Sequence, residues 1–487
     1  MKKSISKNYF YNLCYQILVI VLPLITTPYL SRALGAEAIG VYGYTLSIAT
    51  YFVLFGSLGV AMYGQREIAY LQDEKKKRTI TFWEIFLMRC CTMSISIIMF
   101  GLIYTRNGEY AIYYRILIIE MINQLLDISW FFQGLEEFKK TVVRNLIVKI
   151  IFVACIFIFV KTPADLVKYI FIASIAGLLG NVSIWMYLPK YLEKIKLKEL
   201  NLIKHLRPTI SLFIPQIAVQ IYTVLDKTMI GQICEDKSEV GFYEQAQKIV
   251  KLLLTVVTSL GTVMTPRMAN TFAKGDMEQM KKYLLRSFSF TFLLAFPVMA
   301  GITLVAKEFV PIFFGDGFEK VIILIQVISP IVLFIGMSNI LGYQYLLPAK
   351  RQKEYTFSVT AGAAINFILN IIFINKFNSI GASIATVIAE ISVAAIQCYF
   401  ARDILNASEI AKVVKNYVIA TILMIGLTYG VNWILGLTGI ISVCIQITVG
   451  VMSYGISLII LKDEFINYVK ERVLNALKRK IPNLKNS

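Results

Sequence analysis

The chain has a single histidine, His205, in 487 residues, and its seven cysteines show no CxxC spacing. That scarcity excludes a His/Cys metal framework and a haem site of the usual kind. Cys14, Cys90, Cys91, Cys155, Cys234, Cys398 and Cys444 are odd in number and fall mostly in apolar runs. They read as small buried hydrophobes rather than a disulfide set. Charge is scarce too, at 16% of residues, and acid scarcer than base, 30 against 49. No GxxxxGK[ST] phosphate loop, GxSxG, HExxH or paired-carboxylate loop occurs. Nor does any polar connection exceed about 20 residues, which leaves no room for a soluble catalytic or nucleotide-binding domain. Neither a metal, a cofactor nor an enzymatic activity is expected.

What the chain does have is apolar sequence: 57% hydrophobic residues and a mean hydropathy of +0.67. These residues gather in runs of about 18 to 24, long enough to cross a hydrocarbon core of about 30 Å as helices. The expected fold is an all-α integral membrane protein with about fourteen transmembrane helices. The basic start MKKSISK leads into a long, proline-containing run without a small-residue cleavage site, so the first span is expected to be retained.

Long basic connections alternate with short ones. With both termini cytoplasmic, about 35 Lys and Arg fall on the cytoplasmic side and about 7 outside. This asymmetry accounts for most of the net charge of +19, through contact with anionic inner-leaflet lipid. Nucleic-acid binding is not needed to explain it. The segment FINYVKERVLNALKRKIPNLK is basic and amphipathic, and reads as a helix on the inner membrane surface or a partner-binding tail.

Two stretches about 200 residues apart resemble each other, on the scale of duplication in transporters. AEAIGVYGYTLSIATYFVLFGSLGVAMYGQRE aligns with KSEVGFYEQAQKIVKLLLTVVTSLGTVMTPRM, placing Gly40 opposite Gly241 and Tyr42 opposite Tyr243. A one-residue slip brings the SLG runs at Ser57 and Ser259 into register. Span 1 then corresponds to span 7 in the same orientation, which gives two pseudo-symmetric six-helix bundles plus a C-terminal pair. The expected bundles are residues 1–205 and 206–408, with the added pair at 409–461 and a basic cytoplasmic tail at 462–487.

Ionisable groups within spans cost about 2.5 to 3.5 kcal/mol each if they face lipid. Those of interest are Arg89, Arg115, Glu120, Asp127, Asp226, Lys227, Glu244, Lys248, Lys251 and Glu390. Arg89, Arg115 and Asp127 lie near span ends, where reaching the interface competes with lining a cavity; Lys149 and Lys168 are closer still. Glu244 and Lys248 are spaced for an i,i+4 pair, with Lys251 continuing the face. For Glu120 and Glu390, structural hydrogen bonding competes with ion coupling. Pro23, Pro28, Pro215, Pro266, Pro297 and Pro330 lie in spans, where proline kinks a helix.

SRALGAEAIGVYGY, LDKTMIG followed by GFYEQAQKI, and GYQYLLPAKRQKEY resemble the lipid-linked oligosaccharide flippases of bacterial polysaccharide synthesis. These form the polysaccharide branch of the multidrug/oligosaccharidyl-lipid/polysaccharide exporter superfamily. The resemblance covers nearly the whole chain. It implies alternating access in a bacterial cytoplasmic membrane, moving an undecaprenyl-pyrophosphate-linked glycan from the inner to the outer leaflet. Polymerase and glycosyltransferases of the same pathway are the implied partners. The family's cationic cavity maps here onto Arg32, Asp226, Lys227 and Lys248. Arg89, Arg115 and Lys251 join this substrate set on physical grounds alone, as charges near or within spans. A cleft of Arg and Lys replaces the water around a pyrophosphate with charge-assisted hydrogen bonds. The competing readings are a drug/cation antiporter of the related branch and an integral-membrane glycan polymerase, which would need larger outer loops.

Overall fold

The computed structural model describes the backbone of residues 5–471 except 469. It describes side chains from Val21 onward, apart from 138–143, 197, 214–216, 218–219, 221–222, 262–263, 469 and those beyond 471. Most of the expected surface helix, and residues 472–487 of the basic tail, therefore lie outside the described residues. Among the described residues the chain is helical, with no strand.

The helices sort into two compact units. The first comprises Met1–Glu244 with Phe314–Gly317, and the second Gln245–Phe313 with Phe318–Ser487. The first holds α1 (Ile5–Ser57), α2 (Val60–Tyr70), α3 (Lys75–Tyr104), α4 (Ala111–Leu125) and α5 (Ser129–Gly134). It continues with α6 (Phe138–Phe159), α7 (Leu166–Ile184), α8 (Ile203–Ile233) and the first turns of α9 (Ser238–Ala273). The rest of α9 opens the second unit, with α10 (Met277–Phe314), α11 (Lys320–Ile328) and α12 (Ile331–Ser338). There α13 (Gln352–Phe400), α14 (Ala407–Leu435) and α15 (Gly439–Ile460) complete the chain.

Ten helical stretches among the described residues are long and apolar enough to cross a membrane. Two of them, Val21–Tyr70 and Gln352–Phe400, run for 50 and 49 residues. At 1.5 Å per residue each is roughly 75 Å long, more than twice the hydrocarbon core. Both are broken where a second crossing would begin. In α1 the break is Gly35, at φ 76° and ψ 173°, and in α13 it is Asn378, at φ 52°. Glycine adopts such angles freely, whereas Asn378, with ψ −133°, lies outside the left-handed helical region that asparagine visits and is strained. Counting each as a pair, and adding α6 and α8, the chain makes about fourteen crossings. Pro23 and Pro28, the helix breakers expected in span 1, lie within α1, and its one residue with non-helical dihedrals is Gly35.

The burial pattern fits a lipid surround. On α14 and α15, Ile422, Trp433, Ile440, Val451 and Ile460 are exposed, whereas Thr421, Gln446 and Ser457 are buried. Apolar groups face outward because lipid tails need no shielding, and polar groups turn toward hydrogen-bonding partners. In the first unit, Phe82, Phe86, Trp130, Phe131 and Ile184 form a buried aromatic core. In the second, Met268, Phe288, Phe292, Leu341 and Tyr417 form another.

The duplication extends to a turn the sequence comparison did not use. After α5, the Leu135 N–H donates to the Phe131 carbonyl (3.1 Å), Glu136 to Gln133 (3.0 Å) and Glu137 to Phe132 (2.8 Å). Before α13, Ala349 donates to Tyr345 (2.9 Å), Lys350 to Leu347 (3.0 Å) and Arg351 to Leu346 (2.8 Å). The middle residue is left-handed in both, Glu136 at φ 58° and Lys350 at φ 62°. The two turns share a backbone and carry opposite charge.

Candidate functional site

The second half of α1 crosses the first turns of α9 at Gly40 and Gly241. Without Cβ atoms, each lets its own backbone approach the other helix; a Cβ on Gly40 would overlap the Lys237 carbonyl, and one on Gly241 the Ala36 carbonyl. Close crossing through small residues is how membrane helices gain packing. It sets α1 beside α8 and α9, and polar side chains converge along the seam.

On α8, Asp226 is buried, at 3% exposure, and accepts a hydrogen bond from the Tyr243 hydroxyl of α9. Its neighbour Lys227 places Nζ 3.4 Å from Glu244 Oε2, with both side chains about a quarter exposed. Glu244 faces Gly43 of α1, so the carboxylate is enclosed by three helices. Thr228 donates to Ser47 Oγ at 2.8 Å, joining α8 to α1. Lys237 caps the end of α8, donating to the Gly231 and Cys234 carbonyls at 2.8 Å each. A cation near the C-terminal carbonyls of a helix is favoured by its dipole.

A second polar group lies on α4. Glu120 accepts from Asn123 Nδ2 at 3.1 Å and Gln124 Nε2 at 2.9 Å. Asn181 of α7 in turn donates to Asn123 Oδ1 at 2.6 Å. Tyr42 of α1 stands edge-on to Tyr169 of α7, with ring centroids 5.2 Å apart. The interior of the first unit thus carries two polar groups, Asn181–Asn123–Glu120 on α4 and α7 and Lys227–Glu244 on α8 and α9.

Of the residues singled out from sequence, Asp226, Lys227, Glu244 and Tyr42 come together here. Glu244 meets Lys227 on the neighbouring helix. Arg32 lies just before the Gly35 break, exposed, with Nη1 donating to the Pro28 carbonyl at 3.3 Å. Arg89 is 4% exposed and donates to the Asp127 carbonyl at 2.7 Å. Arg115 donates to the Thr105 carbonyl at 2.9 Å, just past the end of α3. Both arginines thus satisfy carbonyls at helix ends, which otherwise lack intrahelical partners. Lys248 and Lys251 are half-buried on the part of α9 that belongs to the second unit, and Glu390 is buried on α13. Among the described residues no cluster of His, Cys, Asp and Glu is arranged to hold a metal.

His205, the single histidine, belongs to a buried polar cluster on α8 and α3. It lies buried in the first turn of α8, with Nε2 2.9 Å from Glu84 Oε2 and Nδ1 2.7 Å from the Tyr63 hydroxyl. A carboxylate only accepts, so the ring proton belongs on Nε2 and the Tyr63 hydroxyl donates to Nδ1. Glu84 also receives the Asn201 N–H at 2.7 Å and the Lys204 ammonium at 2.7 Å. Nothing in the local pattern of α3 marks Glu84 as the hub. Near the π-helical stretch Asn339–Leu346, Arg351 bonds Glu354 at 3.1 Å and Asp403 at 2.9 Å. Burial would lower the Arg351 pKa, but the bonds to Glu354 and Tyr345 and the Asp403 charge outweigh it and hold it above its ordinary value.

An all-helical, internally repeated membrane chain with buried charge along paired helices defines a secondary transporter fold. The chain belongs to the polysaccharide biosynthesis protein family, whose model matches residues 5–272, within the multidrug/oligosaccharidyl-lipid/polysaccharide exporter superfamily. A second family model, MatE, matches residues 211–373. A candidate O-antigen transporter of Escherichia coli K12 is 26% identical over 82% of this chain and 98% of its own length. A probable flippase of low-salt glycan biosynthesis from Haloferax volcanii is 21% identical over 72% of this chain and 73% of its own. Among solved structures, an inward closed conformation of the lipid II flippase MurJ superposes with a TM-score of 0.72. It has 16% identity and covers 94% of this chain and 100% of that one.

Proposed function

We propose that this protein is a flippase carrying an undecaprenyl-pyrophosphate-linked oligosaccharide from the cytoplasmic to the outer leaflet, for surface polysaccharide synthesis. Family membership and the names of the relatives support the substrate class. The observation that carries the reading is the Lys227–Glu244 pair, a displaceable cation inside an apolar bundle. A diphosphate offers more negative charge than one carboxylate and binds an ammonium through several oxygens. Its arrival would draw Lys227 from Glu244 and loosen the tie between α8 and α9.

In this reading the moving bundles are the duplicated segments 1–205 and 206–408, with 409–461 an added pair. Both termini are cytoplasmic in the inner membrane, following the loop charges. Arg32, Lys248 and Lys251 supply further cations along the route, and Glu120 and Glu390 are the candidates for ion coupling. The products pass to a polymerase, and glycosyltransferases supply the substrate.

The test is transbilayer movement of a fluorescent polyprenyl-diphosphate oligosaccharide in proteoliposomes, with export measured in cells. Lys227→Glu and Lys248→Glu should each abolish surface polysaccharide while lipid-linked repeat units still form on the inner leaflet. Normal export by both variants removes the site assignment. Protein that joins repeat units without moving them would make it a polymerase instead.

A further inference from the structure

Helices α6 and α7 leave a cavity of about 250 Å³ between them in the first unit. Arg144, Asn145 and Lys149 of α6 line it, with Gly177, Gly180 and Asn181 of α7. At 100° per residue the three α6 side chains fall within one arc of roughly 140°, so they share a face. That face carries two positive charges in a helix whose other positions are overwhelmingly apolar. Two cations on one wall of the cavity complement an anionic group through charge-assisted hydrogen bonds.

The polar groups are already oriented. Arg144 donates to Asn145 Oδ1 from Nε at 3.0 Å and from Nη2 at 2.5 Å. The Asn181 carboxamide is held by the Asn123 carbonyl at 3.0 Å and by its side-chain oxygen at 2.6 Å. A water takes about 30 Å³ of liquid volume, so a phosphate group fits comfortably. Arg144 and Lys149 lie roughly 9 to 17 Å along α6 from its first residue. Asn181 is in the last turn of α7. With the chain oriented as in the proposed function, on which this depth rests, the cavity lies in the cytoplasmic half of the membrane.

We propose that the α6–α7 cavity binds the phosphate headgroup of a lipid in the cytoplasmic leaflet, at a site separate from the Lys227–Glu244 pair. Arg144 supplies the guanidinium N–H groups not given to Asn145, and Lys149 a point charge, while Asn181 stays bonded to Asn123 and borders the cavity. Two sources carry this chemistry, a polyprenyl diphosphate waiting to be moved and an anionic phospholipid such as phosphatidylglycerol.

The full-length protein in phosphatidylcholine nanodiscs is offered undecaprenyl diphosphate or phosphatidylglycerol, and retained lipid is measured by native mass spectrometry. Wild type should retain at least one of the two, and Arg144→Gln with Lys149→Gln should weaken retention at least about tenfold, since two charge-assisted bonds are lost. Arg144→Lys with Lys149→Arg should restore most of it. The preferred lipid identifies the source. Retention unchanged in the double Gln variant, or no retention by wild type, overturns the site.

A photoreactive undecaprenyl diphosphate and a photoreactive phosphatidylglycerol are also applied to wild type, so the result does not depend on a variant that folds poorly. Crosslinks from either within residues 144–181 support the site, and crosslinks from both exclusively elsewhere overturn it. Flipping is measured in parallel. Lipid held through Arg144 and Lys149 without transbilayer movement would leave this site standing and remove the flippase reading. Movement by wild type with undiminished retention in the double Gln variant would do the reverse.

Discussion

Gly40 and Gly241, opposite each other in the internal repeat, touch backbone to backbone in the fold. The contact is reciprocal: the carbonyl four residues before each glycine, Ala36 or Lys237, occupies the space where the other glycine's Cβ would be. The crossing also fixes the register that sets Glu244 beside Lys227.

Gly40→Val and Gly241→Val should each force α1 and α9 apart. Overpacking of this kind costs about 1 to 3 kcal/mol. Thermal unfolding in detergent should shift downward for both, with transport reduced alongside. An unchanged midpoint for either variant would show that the close crossing contributes nothing to stability.

Lys227→Glu and Glu244→Lys each place like charges 3 to 4 Å apart on neighbouring helices. Both single variants should lose stability, and the swapped pair should recover part of it, with a coupling of about 0.5 to 3 kcal/mol. Export should remain impaired in the swapped protein, because the cation has moved to another helix. Full export by the swap would mean that only the pair, not the position of Lys227, matters.

Glu84 is fully buried and receives bonds from Asn201, Lys204 and His205. Glu84→Ala leaves the buried His205 short of an acceptor and removes the bonds from the exposed Asn201 and Lys204, whereas Tyr63→Phe removes only the bond to Nδ1. The first should cost several kcal/mol and the second about 1, since bonds to charged groups are stronger and orphaned donors are penalised. Equal midpoints for the two variants would contradict this ranking.

Lys350 is exposed and sits at φ 62°. A left-handed non-glycine residue costs about 1 to 2 kcal/mol, and glycine returns part of that gain as chain entropy. Lys350→Gly should therefore stabilise the protein by about 0.5 to 1 kcal/mol, visible as a higher unfolding temperature. A lower one would assign the lysine side chain a stabilising contact.

Much of the architecture was legible because membrane crossings are written in local composition. Two helices too long for one crossing are divided at Gly35 and Asn378, although no loop separates their halves. The identical tripeptides SLG misled by their likeness. Leu58 and Gly59 are left-handed, at φ 47° and 75°, and end α1, while Gly261 lies within the continuous α9. Phe213 of α8 packs against Gly59 and Asn339 against Gly261, so the neighbours differ although the letters agree. Glu244 shows the limit of local spacing: i,i+4 spacing can suggest Lys248, but it cannot reveal that Glu244 also meets Lys227 of the neighbouring helix.

The sequence by itself determined the class of protein, the crossings and the duplication, because hydropathy and repeat spacing are properties of contiguous residues. Only the tertiary structure decided which charges meet. Lys227 with Glu244, His205 with Glu84, and Arg144 with Asn181 around one cavity all depend on the rotation of one helix about its axis relative to another. That rotation is set by packing such as the crossing of Gly40 and Gly241, and a single chain's letters do not state it.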